Sequence, residues 1–291
     1  TCALPIYPVI TAIRPYGYKR HSAIGNELDA SDRDPRDFPQ INIRNWPGVQ
    51  TCALPILASY HFNGQTFYVT ANEGDDRNDF LQVEETLRIK DMTLDATRFP
   101  NAAELQADGA IGRLEATTTM GDIDGDSDFD ELYVLGGRSF SIWSADGQQV
   151  YDSGADLERI TAQRFPNNFT ASHDSNSPEG RSDAKGPEPE GIAIGTLAGR
   201  TFAFIGLERI SGIMVYDITN PQSAAFVQYV NNRDFTKDPE TDPTSGDLGP
   251  EGLAFIAAAD SPNGMPLLVV GSEVSGTTSI YQIDVIEVTA D

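Results

Sequence analysis

Apolar and polar positions alternate along this chain in short runs, and helical spacing is scarce. TFYVTA (66–71), ELYVLG (131–136), FSIW (140–143), TFAFIGL (201–207), GIMVYDI (212–218), AFVQYV (225–230), LLVVGS (267–272) and SIYQIDVI (279–286) are rich in β-branched and aromatic residues. Turn residues bound each one, so each run reads as a strand. Only 81–98 (LQVEETLRIKDMTLDATR) could hold a helix. The pattern predicts an all-β fold.

The strands repeat as units. PEGIAIG (189–195) leads to GLERISGIMVYDI (206–218), and PEGLAFI (250–256) leads to GSEVSGTTSIYQI (271–283). At an offset of 65 Glu208 falls on Glu273 and Tyr216 on Tyr281; at an offset of 61 Glu190 falls on Glu251. The difference implies a longer hairpin at DSPNG (260–264). A fainter unit joins LASY (57–60) to TFYVTANEG (66–74), with Ala58 preceding Glu73 as Ala193 precedes Glu208. DELYVLGGRSFSIWSADGQQVYDSG (130–154) reads as a fourth unit. Antiparallel units at such a period are the signature of β-propeller blades; a β-sandwich is the competing architecture. In a propeller the PEG strings would be channel-lining strands. Glu190 and Glu251 would then meet at one mouth of the channel, with Glu73, Glu208 and Glu273 ending the strands that follow.

Asp122, Asp124, Asp126, Asp128 and Asp130 alternate through GDIDGDSDFDE (121–131) and run into a strand. Ca²⁺ takes six to eight hard oxygens from a short flexible loop, and alternating Asp around Gly125 offers them. The EF-hand pattern is not met, because Ser127 and Tyr133 occupy its sixth and twelfth positions. The loop looks more like the calcium loops of FG-GAP and similar propeller blades. The bland alternative is a solvated acidic turn.

Charge narrows the partners. Twenty Lys and Arg against 44 Asp and Glu give a net −24 over 291 residues. That excess disfavours nucleic acid and anionic membranes and suits divalent cations. No apolar run reaches the roughly 18 residues of a membrane span. Both cysteines, Cys2 and Cys52, lie in TCALPI, which occurs at 1–6 and again at 51–56 with unrelated flanks. The fuller string GVQTCALPI (48–56) resembles a translated sequencing adapter, so 1–6 and 48–56 are set aside as foreign to the fold. No cysteine then remains for a disulfide, thiolate or zinc site.

LDASDRD (28–34), INIRNWP (41–47), YVTANEGDDR (68–77), GDIDGDSDFDELYVLGGRSFSIW (121–143), KGPEPEGIAIG (185–195), FIGLERISGIMVYDI (204–218), GDLGPEGLAFI (246–256) and SPNGMPLLVVGSEVSGTTSIY (261–281) together resemble the choice-of-anchor I family. Its members include cell-surface glycoproteins and bacterial proteins labelled alkaline phosphatase-like. The resemblance implies an exported, periplasmic or surface-held protein. It also implies a seven-bladed propeller, of which this chain, as one domain over 1–291, would hold four or five blades. In the family's register a carboxylate equivalent to Glu190 falls on Pro55, inside the repeated string.

Two functions fit. One is a non-catalytic, calcium-binding surface module presenting a rigid disc to a protein, glycan or phosphate ester. The other is a calcium-dependent phosphoesterase, alkaline phosphatase-like or phytase-like, acting at a carboxylate-lined channel mouth. For the second, Glu73, Asp75, Glu188, Glu190, Glu208, Glu251 and Glu273 are candidate ligands. Arg77, Lys185 and Arg209 are candidate phosphate clamps, and Glu190 and Glu251 candidate catalytic groups. No nucleophile elbow, phosphate loop or paired histidines at ligand spacing accompany them.

Overall fold

The computed structural model describes residues 19–20, 49–52, 56–76, 78 and 84–284. The strands are β1 (Lys19–Arg20), β2 (Val49–Cys52), β3 (Ile56–Phe62), β4 (Gln65–Ala71), β5 (Thr86–Arg88), β6 (Glu115–Thr117), β7 (Leu132–Leu135), β8 (Phe140–Ser144) and β9 (Gln149–Asp152). They continue as β10 (Pro189–Leu197), β11 (Arg200–Leu207), β12 (Ile213–Asp217), β13 (Ala225–Val230), β14 (Pro250–Ile256), β15 (Leu267–Ser272) and β16 (Thr277–Gln282). Helices are few and short: α1 (Ala102–Leu105) and α2 (Asp156–Arg164). The fold is all-β, as the alternation predicts.

Three sheets are antiparallel meanders, ordered β3-β4-β8-β9, β10-β11-β12-β13 and β14-β15-β16. Their leading strands are neighbours, β10 touching both β3 and β14. The middle sheet is therefore covered on both faces. This explains why TFAFIGL is apolar at nearly every position: Ala203, Ile205 and Leu207 pack against Val69, Phe140 and Ile142 of the first sheet, while Phe202 and Phe204 pack with Leu268 and Val270 of the third. Glycine lets the leading strands approach. A Cβ on Gly191 would lie 2.2 Å from the Glu251 carbonyl oxygen, so the Gly of the first PEG string is a packing requirement.

The first sheet is interrupted. Residues 72–139 lie between β4 and β8, which nonetheless pair from Phe67↔Ser144 to Ala71↔Phe140. The inserted chain builds its own core from Ile89, Phe99, Leu105, Ile111, Leu114, Leu132 and Val134. Its strands β5, β6 and β7 form a separate sheet with β1 and β2, ordered β1-β2-β7-β6-β5, in which β2 runs parallel to β7. β2 falls within GVQTCALPI, the string set aside above.

Two sequence expectations are corrected. The unit 130–154 is not one blade: Leu132–Leu135 belongs to the insertion's sheet, while 140–144 and 149–152 complete the sheet begun by 56–71. Within 81–98 the described residues give β5 and a single 3₁₀ turn, Ile89–Asp91, and no α-helix. The pattern missed both α1 and the longer α2; of α2 the reason is plain. The α2 sequence DLERITAQR is mostly polar, yet Leu157 and Ile160, three residues apart, wedge into the core between the first two sheets.

Candidate metal centre

Glu73, Glu208 and Glu273 follow the second strand of each meander, within two residues of β4, β11 and β15. Backbone hydrogen bonds hold the last two alike: the Glu208 N–H donates to the Glu188 carbonyl at 2.9 Å, and the Glu273 N–H to the Gly249 carbonyl at 2.8 Å. Glu188 and Gly249 are equivalent residues, each just before the Pro of PEG. Both adopt left-handed φ, +48° and +69°. A glutamate in this glycine-favoured conformation is locally strained, and such strain gathers at functional sites.

Glu190, Glu208 and Glu273 each place a carboxylate oxygen within 4.8 Å of the others, and so do Glu73, Glu188 and Glu208. Glu208 belongs to both groups. Glu73, Glu190, Glu208 and Glu273 line an open cleft of about 690 Å³ together with Asp76, Asn78, Glu84, Thr86 and Glu115 of the insertion, while Glu188 lies buried behind it. Glu251, paired in register with Glu190 by the repeat, is exposed beside the cleft. Its charge is felt at Glu190.

Among the described residues the cations of the cleft, Lys185 and Arg209, are already paired. Glu188, fully buried, accepts from Arg181 Nη2 at 2.6 Å and from Arg209 Nη2 at 3.0 Å, with Lys185 Nζ 3.1 Å away. Lys185 also reaches Asp75 at 3.0 Å, and Arg209 Nη1 reaches Glu208 at 3.0 Å. The Nδ1 of His173 lies 3.4 Å from the same Glu208 oxygen. Burial alone would push the Glu188 carboxyl up; Arg181, Arg209 and Lys185 outweigh it and hold it well below the usual range.

The remaining carboxylates sit in the opposite regime. Burial, then the charges of Glu73, Glu208, Glu251 and Glu273, push Glu190 up to about 8. Its Oε2 is buried without a hydrogen-bond partner. Burial, only partly offset by Lys185, pushes Glu73 up to about 7. Glu273 is raised by burial and by Glu208 and Glu251, and Glu115 by burial above all. Clustered carboxylates raise one another in this way when no cation stands between them. Oxygen-only donors in a polar cleft suit a hard divalent cation.

The aspartate loop lies elsewhere on the insertion. Of its five carboxylates, those of Asp122, Asp124 and Asp130 come within 4.8 Å of one another; Asp126 and Asp128 stand outside this group. Asp122 accepts the Gly125 and Ser127 N–H groups at 2.7 and 3.1 Å, and Asp130 accepts the Ile123 N–H at 2.9 Å. Asp124 is raised chiefly by Asp126, and Asp128 by burial and then Asp126. Arg77 and Pro55 lie outside the described residues. His61 is exposed on β3. Trp143, half-buried on β8, donates to the Thr70 hydroxyl at 3.0 Å.

Sequence reading named every carboxylate of the two triads but missed Arg181, His173 and Glu115. Arg181 and His173 lie on the long connection from α2 to β10, where no strand pattern fixes position. Glu115 enters from the inserted module, whose packing against the strand ends no local motif announces.

Among the described residues no helix is long and apolar enough to cross a membrane. A curated relative, Gigasin-3a of Magallana gigas, is 28% identical over 190 residues, covering 62% of this chain and 66% of that protein. The mesenchyme-specific cell surface glycoprotein of Strongylocentrotus purpuratus is 24% identical over 174 residues, covering 52% of this chain and 22% of that protein. The chain thus spans less than two thirds of each. No solved structure matches it. The model of the choice-of-anchor I domain matches residues 7–221, and the chain belongs to the choice-of-anchor I domain family.

Proposed function

We propose that this chain is part of a β-propeller that acts outside the cell as a calcium-binding surface module, with a structural or ligand-binding role. The observation that carries the reading is the convergence of Glu73, Glu208 and Glu273, which follow matched strands, with Glu190 at the start of β10; burial and neighbouring charges push Glu73 and Glu190 up. A divalent cation would relieve that repulsion and satisfy the orphaned Glu190 oxygen. The three meanders with adjacent leading strands support the blade reading. The name of the sea-urchin relative supports a surface location. Phosphate-ester hydrolysis is the less favoured reading, because Lys185 and Arg209 are engaged by Glu188, Asp75 and Glu208 instead of standing ready for an anion. The aspartate loop is proposed as a second, more exposed calcium site.

Calcium is expected to raise the melting temperature. A ligand at one hundred times its Kd stabilises by about 2.7 kcal/mol, and each kcal/mol is worth roughly 2–4 °C in a domain near this size. Glu190→Gln with Glu273→Gln should abolish most of this shift, and Asp122→Asn with Asp124→Asn a separate, smaller part. Protons compete at Glu73 and Glu190, so affinity for Ca²⁺ should weaken as pH falls from about 8 to 6 in calorimetric titrations. A melting temperature indifferent to calcium, in the parent chain and both double variants alike, would sink the reading.

A further inference from the structure

We propose that the inserted module is a hinged wall of the carboxylate cleft, swinging at Gly74 and Gly136 and latched by Asp183 to the connection that leads into β10. The hinge lies in the two described connections between the module and the first sheet, and each is anchored on its sheet side. Asn72, buried just after β4, accepts from the Thr70 hydroxyl at 2.7 Å and donates to those of Ser139 and Ser141 at 3.0 and 2.7 Å. Its backbone N–H donates to the Ser139 carbonyl, and its carbonyl accepts the Gly137 N–H. Arg138, on the returning connection, is buried against Glu158. Beyond these anchors both chains turn to glycine. A Cβ on Gly74 would lie 1.8 Å from the Gly136 nitrogen, so the two backbones touch with no side chain between them, and Gly136 has a φ of +74°. A few residues of this kind at element ends are what absorb the φ and ψ changes of a hinge. Glu73, which lines the cleft, sits between the Asn72 anchor and Gly74.

Past the hinge the module is braced as one piece. It has its own core. Asn78 donates to Thr86 at 3.0 Å and accepts the Glu85 N–H at 2.8 Å, which fastens the outgoing chain to β5. The latch joins this piece to the meanders. Asp183 is buried, and its Oδ2 accepts from Arg88 Nη1 and Arg113 Nη2 at 2.7 Å each. Both arginines belong to the module, whereas Asp183 lies between Ser182 and Ala184, whose carbonyls are held by Arg138. A more exposed pair, Lys185 with Asp75, joins the same two pieces. The latch works against a force. Asp76, Glu84 and Glu115 of the module share the cleft with Glu190, Glu208 and Glu273 of the meanders, and like charges on two pieces push them apart. A cation in the cleft would remove that push and add to the hold of Asp183. The link to calcium rests on the function proposed above; the hinge and the latch do not.

The test measures distances by pulsed electron paramagnetic resonance in the whole chain with Cys2→Ser and Cys52→Ser. Spin labels go on Ala107→Cys in the module and Thr278→Cys on β16, both exposed positions. The parent should give one narrow distance with or without calcium. Asp183→Asn should add a second, shifted population in calcium-free buffer, and calcium should return it to the parental distance. Arg88→Gln removes one arm of the latch and leaves the carboxylate, so a smaller shifted population is expected; it decides the matter if Asp183→Asn does not fold. Calorimetric affinity for Ca²⁺ should fall about tenfold in Asp183→Asn, within the usual range of coupling between two sites. A parental distance in the folded, calcium-free variants would overturn the hinge and latch. A shifted distance with parental calcium affinity would show a movement the cleft does not feel, and would overturn the coupling. A parent chain that binds no calcium would sink the calcium reading alone, because the calcium-free distances still decide the hinge.

Discussion

Replacing Glu188 with glutamine is expected to destabilise the protein by about 3–5 kcal/mol, the usual result of removing one partner from a buried charge cluster. Three cations, Arg181, Lys185 and Arg209, meet on this one fully buried carboxylate. Without its charge they are left facing one another and the apolar strand ends. The effect carries a pH signature. The folded value, held at about 2, lies below the ordinary 4.5. Glu188 therefore contributes stability that is fully present above pH 4.5 and is lost as pH falls toward 2. Urea melts of the parent chain should steepen their loss of stability in that window. Those of Glu188→Gln should start lower and lack that component. A variant with parental stability at pH 7 would refute the central role given to this residue.

Arg138→Leu is expected to cost a similar amount, about 3–5 kcal/mol. Arg138 leads into β8 and is almost wholly buried, as is its partner Glu158 on α2, at 2.9 Å. Its other guanidinium nitrogen donates to the Ser182 and Ala184 carbonyls at 2.8 Å each. One side chain thus ties the first sheet, the helix and the segment that carries Lys185 and Glu188. The single change strands Glu158 without its cation. The double change Arg138→Leu with Glu158→Leu removes both charges and should recover much of the loss, giving a strong coupling in a double-mutant cycle. Limited proteolysis should cut the single variant near 182–188 sooner than the parent. Additive effects in the cycle would argue against the pair.

Much of this molecule was legible in its letters, because the repeat ties chemistry to register. PEG followed by a strand and a glutamate fixed which acidic residues share a level, and the triads contain them. Two kinds of information were missing. The insertion hid the partnership of 65–71 with 140–144, since the strands of one sheet are ordinarily neighbours in sequence and these are separated by a whole module. The second was the fate of charges. Lys185 and Arg209 look in the sequence like groups awaiting an anion, but burial of Glu188 recruits both. Which charges pair depends on distances set by the long connection from α2 to β10, and that connection has no periodicity to read. The aspartate loop shows the converse limit: five evenly spaced carboxylates suggest one site, but only those of Asp122, Asp124 and Asp130 come within reach of one another.

The inserted module also bears on how the chain reaches its native state. Joining β11 to β12 closes a loop of five residues, 208–212, whereas joining β4 to β8 spans the 68 residues from 72 to 139. Closure entropy rises by about 0.6 kcal/mol with each doubling of loop length, so the first sheet bears roughly 2 kcal/mol more than the middle one before any contact repays it. High contact order of this kind slows assembly. The insertion offsets the penalty, since its own core around Leu105, Leu114 and Leu132 draws 86 and 135 together and shortens the effective loop. Early collapse of this small unit would act as a clasp that brings the two halves of the first sheet into register.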